Sequence, residues 1–164
     1  MFRPMRRNRQ QLSQAECEAI LKEGTSGVLA VEGDEGYPYA VPLSYLYADG
    51  KLYFHCAKSG HKLDALRRNP RVSFCVIGQD QISPQEYTTY FRSVILFGTA
   101  RELEDEGEKY AAVERLALKY APDDPPARRE AYIRKEYDLL CMVEVAVEHM
   151  TGKECIELVR KREK

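Results

Sequence analysis

Period-two alternation of apolar and polar positions runs through most of the chain and predicts a protein built mainly of strands. Val28 to Glu32 reads as a first strand, followed by the turn sequence GDEG. Tyr37 to Tyr47 sets Val41, Leu43, Tyr45 and Tyr47 on one side and Pro42, Ser44 and Leu46 on the other. Pro38 and Pro42 cannot donate to a ladder, so this strand belongs at an edge or a bulge. Asp49-Gly50 is a hairpin signal. Beyond it Lys51 to Ala57 alternates again, with Leu52, Phe54 and Cys56 on one face and Lys51, Tyr53 and His55 on the other. Arg71 to Ile77 and Tyr87 to Leu103 read as further strands, the second bent at Gly98, with a loop over Gly78 to Glu86 between them. A closing pair is expected at Asp138 to Glu148 and Glu154 to Val159, joined across His149 to Lys153.

Helical signals are fewer. Ser13 and Glu16 form S-x-x-E, a capping box, with Leu12 placed to staple onto the first turns. The helix they start should end near Glu23 and stop at Gly24. A short helix, Lys62 to Arg68, interrupts the strands and is closed by Asn69-Pro70. Val113, Leu116, Ala117 and Tyr120 make an apolar stripe within a helix over Glu104 to Tyr120. The loop APDDPPA separates it from a second helix over Ala127 to Lys135. The strands are too continuous for alternating strand and helix, and no G-x-G-x-x-G occurs. The economical solution is a small antiparallel barrel with flanking helices, an α+β fold that is mainly β.

The chain has 164 residues, which suits one domain spanning 1–164 with a core that needs neither disulfide nor metal. Lys and Arg number 25 against 26 Asp and Glu, a net charge of -1. That balance argues against a dedicated nucleic-acid binder. Residues 1–10, with Arg3, Arg6, Arg7 and Arg9, read as a flexible basic arm, and residues 160–164 as a charged, solvated tail. The arm is not followed by an apolar stretch of the secretory kind, and no apolar run approaches the length of a membrane span. Five widely spaced cysteines (Cys17, Cys56, Cys75, Cys141 and Cys155), without C-x-x-C, suit a reducing cytoplasm.

The sharpest chemical feature is Ser59-Gly60-His61-Lys62, between a strand and a short helix. Gly60 permits an unusual turn, the helix start presents free N–H groups, and Lys62 adds a charge. Such a corner suits a phosphate; the same residues also fit an ordinary surface turn. Aromatics around V-P-L-S-Y could flank a flat ring or simply pack a core. Arg92, within Y-F-R-S, needs a partner: an anionic ligand, Glu86, Glu102 or open solvent. His55, His61, His149 and Cys56 lack the spacing of a metal site, so none is expected. No nucleophile motif or triad is evident.

As a set, GVLAVEGDEGYPYAVPLSYLYADGKLYFHCAKSGHKLDALRRNPRVSFCVI, EYTTYFRSVILFGTARELED and VEHMTGKECIEL resemble the pyridoxamine 5′-phosphate oxidase-related flavoproteins, and among them most resemble the 5-nitroimidazole resistance (Nim-type) proteins. The resemblance implies a split β-barrel homodimer with FMN, rather than FAD or haem, at the subunit interface. It implies that Val41, Pro42, Leu43 and Ser44 line the isoalloxazine and that His55, Cys56 and Ala57 continue that wall. His61 and Lys62 would hold the phosphate, Arg92 and Ser93 would approach the phosphate or ribityl chain, and Met150, Thr151 and Gly152 would close the pocket. His61 is the titratable candidate for catalysis. The expected activity is flavin-dependent reduction of a small acceptor such as a nitroaromatic. A non-catalytic flavin or haem carrier or sensor, and a structural dimer without FMN, are the alternatives. No arginine-rich C-terminal segment suited to a substrate phosphate is present, so oxidation of pyridoxamine phosphate is not expected.

Overall fold

The computed structural model describes residues 1–163 and contains eight strands and five α-helices among them. Strand β1 (Gln11–Leu12) leads into α1 (Gln14–Glu23), then β2 (Ser26–Glu32), β3 (Pro38–Ser44), β4 (Leu46–Ala48) and β5 (Lys51–Ala57). Helix α2 (His61–Arg68) precedes the long strands β6 (Arg71–Ser83) and β7 (Thr88–Glu102). Helices α3 (Glu106–Tyr120) and α4 (Pro126–Glu136), strand β8 (Leu140–Glu154) and α5 (Ile156–Arg162) complete the chain.

Local chemistry accounts for several boundaries. The Ser13 hydroxyl accepts the Glu16 N–H and Glu16 accepts the Ser13 N–H at 2.8 Å, so the expected capping box starts α1, and Gly24 ends it. Asp49 and Gly50 both have positive φ, 55° and 73°, the backbone of a type I′ turn between β4 and β5.

All strand pairs are antiparallel, in the order β3-β2-β6-β7-β8-β5-β4, with β1 added to β8. The two ends of this path, β3 and β4, are consecutive in the chain and meet at Tyr45. The sheet curls into a barrel that is closed by chain continuity and not by a ladder, which is a split barrel. Tyr45 sits in the gap, and α3 supplies what the missing ladder would. The Tyr120 hydroxyl accepts the Tyr45 N–H at 2.9 Å and lies against the carbonyls of Tyr45 and Thr25. The Lys119 ammonium donates to the carbonyls of Gly24 and Tyr45 at 2.5 and 3.0 Å. Burial lowers the Lys119 pKa and raises that of the Tyr45 hydroxyl.

Two cores result. Inside the barrel lie Leu29, Tyr45, Leu52, Phe54, Phe74, Val76, Val94, Leu96, Val143 and Val145, all buried. Outside it, α3 and α4 cover Tyr53 and Met142 with Val113, Leu116 and Ile133. The stripe expected on α3 is therefore the stripe that packs. Among the described residues no helix is long and apolar enough to cross a membrane.

The sequence reading needs two corrections. Gly78 to Glu86 is not a loop: β6 continues through a register shift between Ile77 and Gln79 to Ser83, which pairs with Thr88. Only Pro84–Glu86 and Tyr87 make the turn, Tyr87 with φ 50°. Likewise His149 to Lys153 is no connection and Glu154 to Val159 no strand. Because β7 offers an unbroken partner, β8 pairs from Val143 with Glu102 to Glu154 with Arg92, stepping over one bulge at Phe97/Gly98. The chain then turns into α5, burying Val159 and placing Arg160, Lys161 and Arg162 in its last turn, where cations suit the helix dipole. Of the tail at 160–164, Arg162 is a partner of Glu154 and of Glu16; Lys164 lies outside the described residues.

Candidate functional site

Strand β5 delivers His55, Cys56 and Ala57 to the barrel rim, and Gly60 turns the chain into α2. Gly60 has φ 126° and ψ 167°, a backbone that L side chains rarely adopt, and a Cβ there would meet nothing within 4 Å. Glycine is demanded by the dihedral and not by crowding. No side chain caps α2, so the N–H groups of its first turn point outward unclaimed by a cap. His61 pairs with Asp34, Arg67 with Glu102 and Arg68 with Asp34, which leaves Lys62 without a carboxylate among the described residues. Its ammonium lies 5.7 Å from the Phe54 ring centroid. The corner thus combines a basic side chain with free backbone donors, the chemistry of an anion seat.

His61 is held from behind. Its ring stacks on Tyr39 at 4.1 Å, and its Nε2 lies 3.5 Å from Asp34 in the turn between β2 and β3. Tyr39 and Asp34 were not singled out in the sequence, since nothing local marks them as neighbours of His61. His55, by contrast, lines a cavity. With Ser44 it faces an apolar cleft of about 320 Å³ walled by Val113, Leu116, Tyr132 and Ile133. Partial desolvation, then the charge of Lys62, push the His55 pKa below its ordinary value.

Side-chain direction divides the expected flavin wall. On β3, Val41 and Leu43 turn inward against the core, whereas Pro42 and Ser44 are exposed on the outer surface. His55 and Ala57 also face outward, and Cys56 inward.

The remaining expected residues lie at the other end of β8. Arg92, Ser93, Met150, Thr151 and Gly152 are cross-strand neighbours on β7 and β8, but they point in two directions. Arg92 turns inward to the fully buried Glu154, 3.2 Å away, which Arg162 also engages. Its partner is therefore neither Glu86 nor Glu102. Gly152 is packed beneath α1, where a Cβ would lie 2.4 Å from the Cys17 sulfur, so it offers no open face to a ligand. Met150 packs against the inner core. Ser93 and Thr151 remain on the outer face.

The pairing register links the two groups. Pro42, Val28, Cys75, Ile95 and Thr151 form one continuous outer row across β3, β2, β6, β7 and β8. With strands about 4.8 Å apart, the row is roughly 19 Å long measured along the curled sheet. The next row is Ala40, Ala30, Ser73, Phe97 and His149. Val28, Ile95, Phe97 and Ile77 are exposed here, and Phe2 of the N-terminal arm stacks on His149 at 4.6 Å and on Phe97 at 5.5 Å. Among the described residues no group of three or more His, Cys, Asp or Glu is placed to hold a metal.

A family model described as pyridoxamine 5′-phosphate oxidase matches residues 13–154. A comparison with curated protein sequences found no match. Among solved structures, a candidate 5-nitroimidazole antibiotic resistance protein from Bacteroides thetaiotaomicron is similar at 24% identity and TM-score 0.73, over 88% of this chain and 86% of that one. A FAD-binding protein from Mesorhizobium loti is 28% identical with TM-score 0.66, over 88% and 96%. A FAD- and haem-binding protein from Mycobacterium smegmatis is 21% identical with TM-score 0.72, over 88% and 73%. With the match covering most of the chain and the same split barrel observed, the chain belongs to the pyridoxamine 5′-phosphate oxidase family.

Proposed function

We propose that the chain is a flavin-binding protein that works as a homodimer and reduces a small acceptor such as a nitroaromatic. The observation that carries this reading is the Lys62 corner: an uncapped helix start, a glycine at φ 126° and a lysine without a carboxylate partner among the described residues. These residues fit a flavin phosphate. FMN, with a single phosphate, is the flavin the corner suits; family membership and the 28%-identical FAD-binding protein support a flavin in general.

A flavin, when bound, supplies the hydride or electrons that reduce the acceptor. The protein's own residues then have definite tasks. Lys62 and the first-turn N–H groups of α2 hold the phosphate. Pro42, Ser44, His55 and Ala57, on the outer surface, would line the ring, while Val41 and Leu43, turned inward, would offer it backbone only. The apolar cleft under α3 and α4 excludes water from the acceptor. Partial burial and then the Lys62 charge favour the neutral form of His55, which would offer a hydrogen bond without a charge.

The exposed apolar outer row supports the dimer of this reading. A two-fold axis normal to this face and passing near Cys75 sets Pro42 of one protomer opposite Thr151 of the partner subunit. Each Lys62 corner then acquires the Ser93 and Thr151 surface that its own chain carries at the far end of β8. An isologous contact of this kind is the common route to a closed dimer.

The visible spectrum of the purified protein, with mass identification of the released chromophore, tests the reading and separates FMN, FAD and haem. A protein that stays colourless and gains no flavin band with added FMN or FAD overturns it. Lys62→Ala should raise the flavin Kd by about 10- to 100-fold, the loss of one charge-assisted hydrogen bond, without changing the stability of the ligand-free protein.

A further inference from the structure

Five cysteines are spread along the sequence, yet the fold sets two of them directly opposite one another. Cys56 on β5 and Cys141 on β8 are register partners, both inward-facing at the barrel rim. Each thiol acts on the titration of the other, as close neighbours do. The other three are separated from this pair: Cys17 lies beneath Gly152, Cys75 on the outer row, and Cys155 is buried at the start of α5.

We infer that Cys56 and Cys141 form a redox-active dithiol that a low-molecular-weight disulfide oxidises to a cross-strand disulfide.

The covalent geometry is nearly in place. Opposed residues of an antiparallel pair have Cα atoms about 4.5 to 5.5 Å apart, inside the roughly 4.4 to 6.8 Å that disulfides bridge. Side-chain rotation and a small approach of the two strands would close the bond. The two thiols are also unequal. Cys56 is half-buried and near the Lys62 ammonium, whose charge favours its thiolate. Cys141 is more buried, and its thiol donates to Glu102 at 3.3 Å, a carboxylate held in turn by Arg67. Cys56 is therefore the attacking thiol and Cys141 the resolving one.

In the first step the Cys56 thiolate attacks one sulfur of the small disulfide, and the other sulfur leaves as a thiolate and takes a proton from water. In the second, Cys141 gives up its proton and attacks the Cys56 sulfur of the mixed disulfide, releasing the second small thiol. Two protein thiols lose two electrons and two protons, and the small disulfide gains both. Burial raises both thiol pKa values, that of Cys141 to about 12, so the exchange is slow at neutral pH and quickens as pH rises.

The test uses the folded, full-length wild-type protein and oxidised glutathione in mildly alkaline buffer. Thiols are alkylated before and, with a second reagent, after denaturation, and peptides are mapped without reduction. The expected product has lost two hydrogens and contains a Cys56–Cys141 linked peptide, with Cys17, Cys75 and Cys155 all alkylated. Cys141→Ser should stop at a single glutathione adduct on Cys56. The wild-type map does not depend on any variant folding. Free Cys56 and Cys141 after prolonged exposure, a stable adduct on wild-type Cys56, or a link from either to another cysteine would each overturn the proposal. The outcome is independent of the flavin reading, because no step requires the cofactor.

Discussion

The outer surface of one barrel is treated in two opposite ways. Where β4, β5 and the first half of β8 face outward, Tyr53 and Met142 are 9% and 0% exposed beneath α3 and α4. Where β2, β6 and β7 face outward, Val28, Ile95 and Phe97 are 38%, 42% and 38% exposed, and Ile77 66%. The residue types are alike; only the cover differs. One half spends a helical pair on closing its sheet, and the other presents a contiguous apolar row of the kind that marks an interaction surface. The barrel thus carries its own lid on one side and, in our proposal, a second copy of itself on the other.

The strongest way to break that comparison is to put a charge in the middle of the bare half. Ile95→Asp would bury an unpaired carboxylate in the proposed interface, which costs several kcal/mol. Light scattering should show the dimer converted to a monomer, with flavin lost in step, while the protomer still folds. Wild-type protein that is monomeric by the same measurement and retains full flavin would refute the shared site. On the covered half the corresponding change acts differently. Ile133→Ala leaves a cavity between α4 and the sheet and should lower unfolding stability by about 2–5 kcal/mol in denaturant titration, with no change in molecular mass.

How much of this contrast could be read from the sequence depends on the range of the interactions. The capping box at Ser13, the turn at Asp49-Gly50, the limits of β5 and the stripe on α3 each rest on residues a few positions apart, and each is found as expected. The glycine turn and helix start at Gly60-His61-Lys62 were legible for the same reason. Glu154 to Val159 misled because it is rich in apolar residues, whereas its polar-apolar-apolar repeat is the helical one that α5 adopts from Ile156. The inward turn of Arg92 toward Glu154 joins positions far apart in the chain, and so does the grip of Tyr39 and Asp34 on His61. Alternation assigns a residue to a face, but not a face to the inside. The division of the expected site between Lys62 and Thr151 depends on a strand order that no local pattern contains.

The seam between the two halves gives a smaller effect. Tyr45 belongs to neither ladder, and its N–H and C=O are met by Tyr120 and Lys119 of α3. Tyr120→Phe keeps the ring and removes the hydroxyl, leaving a buried N–H without its acceptor. The expected loss is about 1–3 kcal/mol in thermal or chemical unfolding. An unchanged stability would mean that the split in the barrel needs no closing by the helix.

The smallest expected effect is a pH dependence that arises on the covered half. Glu144 is buried on the outer face of β8 and accepts from Arg101 at 2.9 Å and Lys51 at 3.0 Å. Arg101 also reaches Glu108 at 3.0 Å, so the chain of charges ties α3 to the sheet. Burial alone would raise the Glu144 pKa, but the hydrogen bonds and charges of Arg101 and Lys51 together outweigh it and hold it below the ordinary carboxylate value. A carboxylate with a depressed folded pKa stabilises fully above its unfolded value, about 4.3, and that stabilisation is lost as pH falls through the folded one. Glu144→Gln should therefore cost about 1 kcal/mol at pH 7, since both cations are partly exposed, and should flatten the acid limb of the stability curve below pH ~4. Among the described residues the two outer rows hold no carboxylate, so Ile95→Asp assayed as a monomer should keep the wild-type dependence on Glu144. A variant pair in which Glu144→Gln leaves the acid limb unchanged would show that the charges around Glu144 contribute nothing to holding α3 on the barrel.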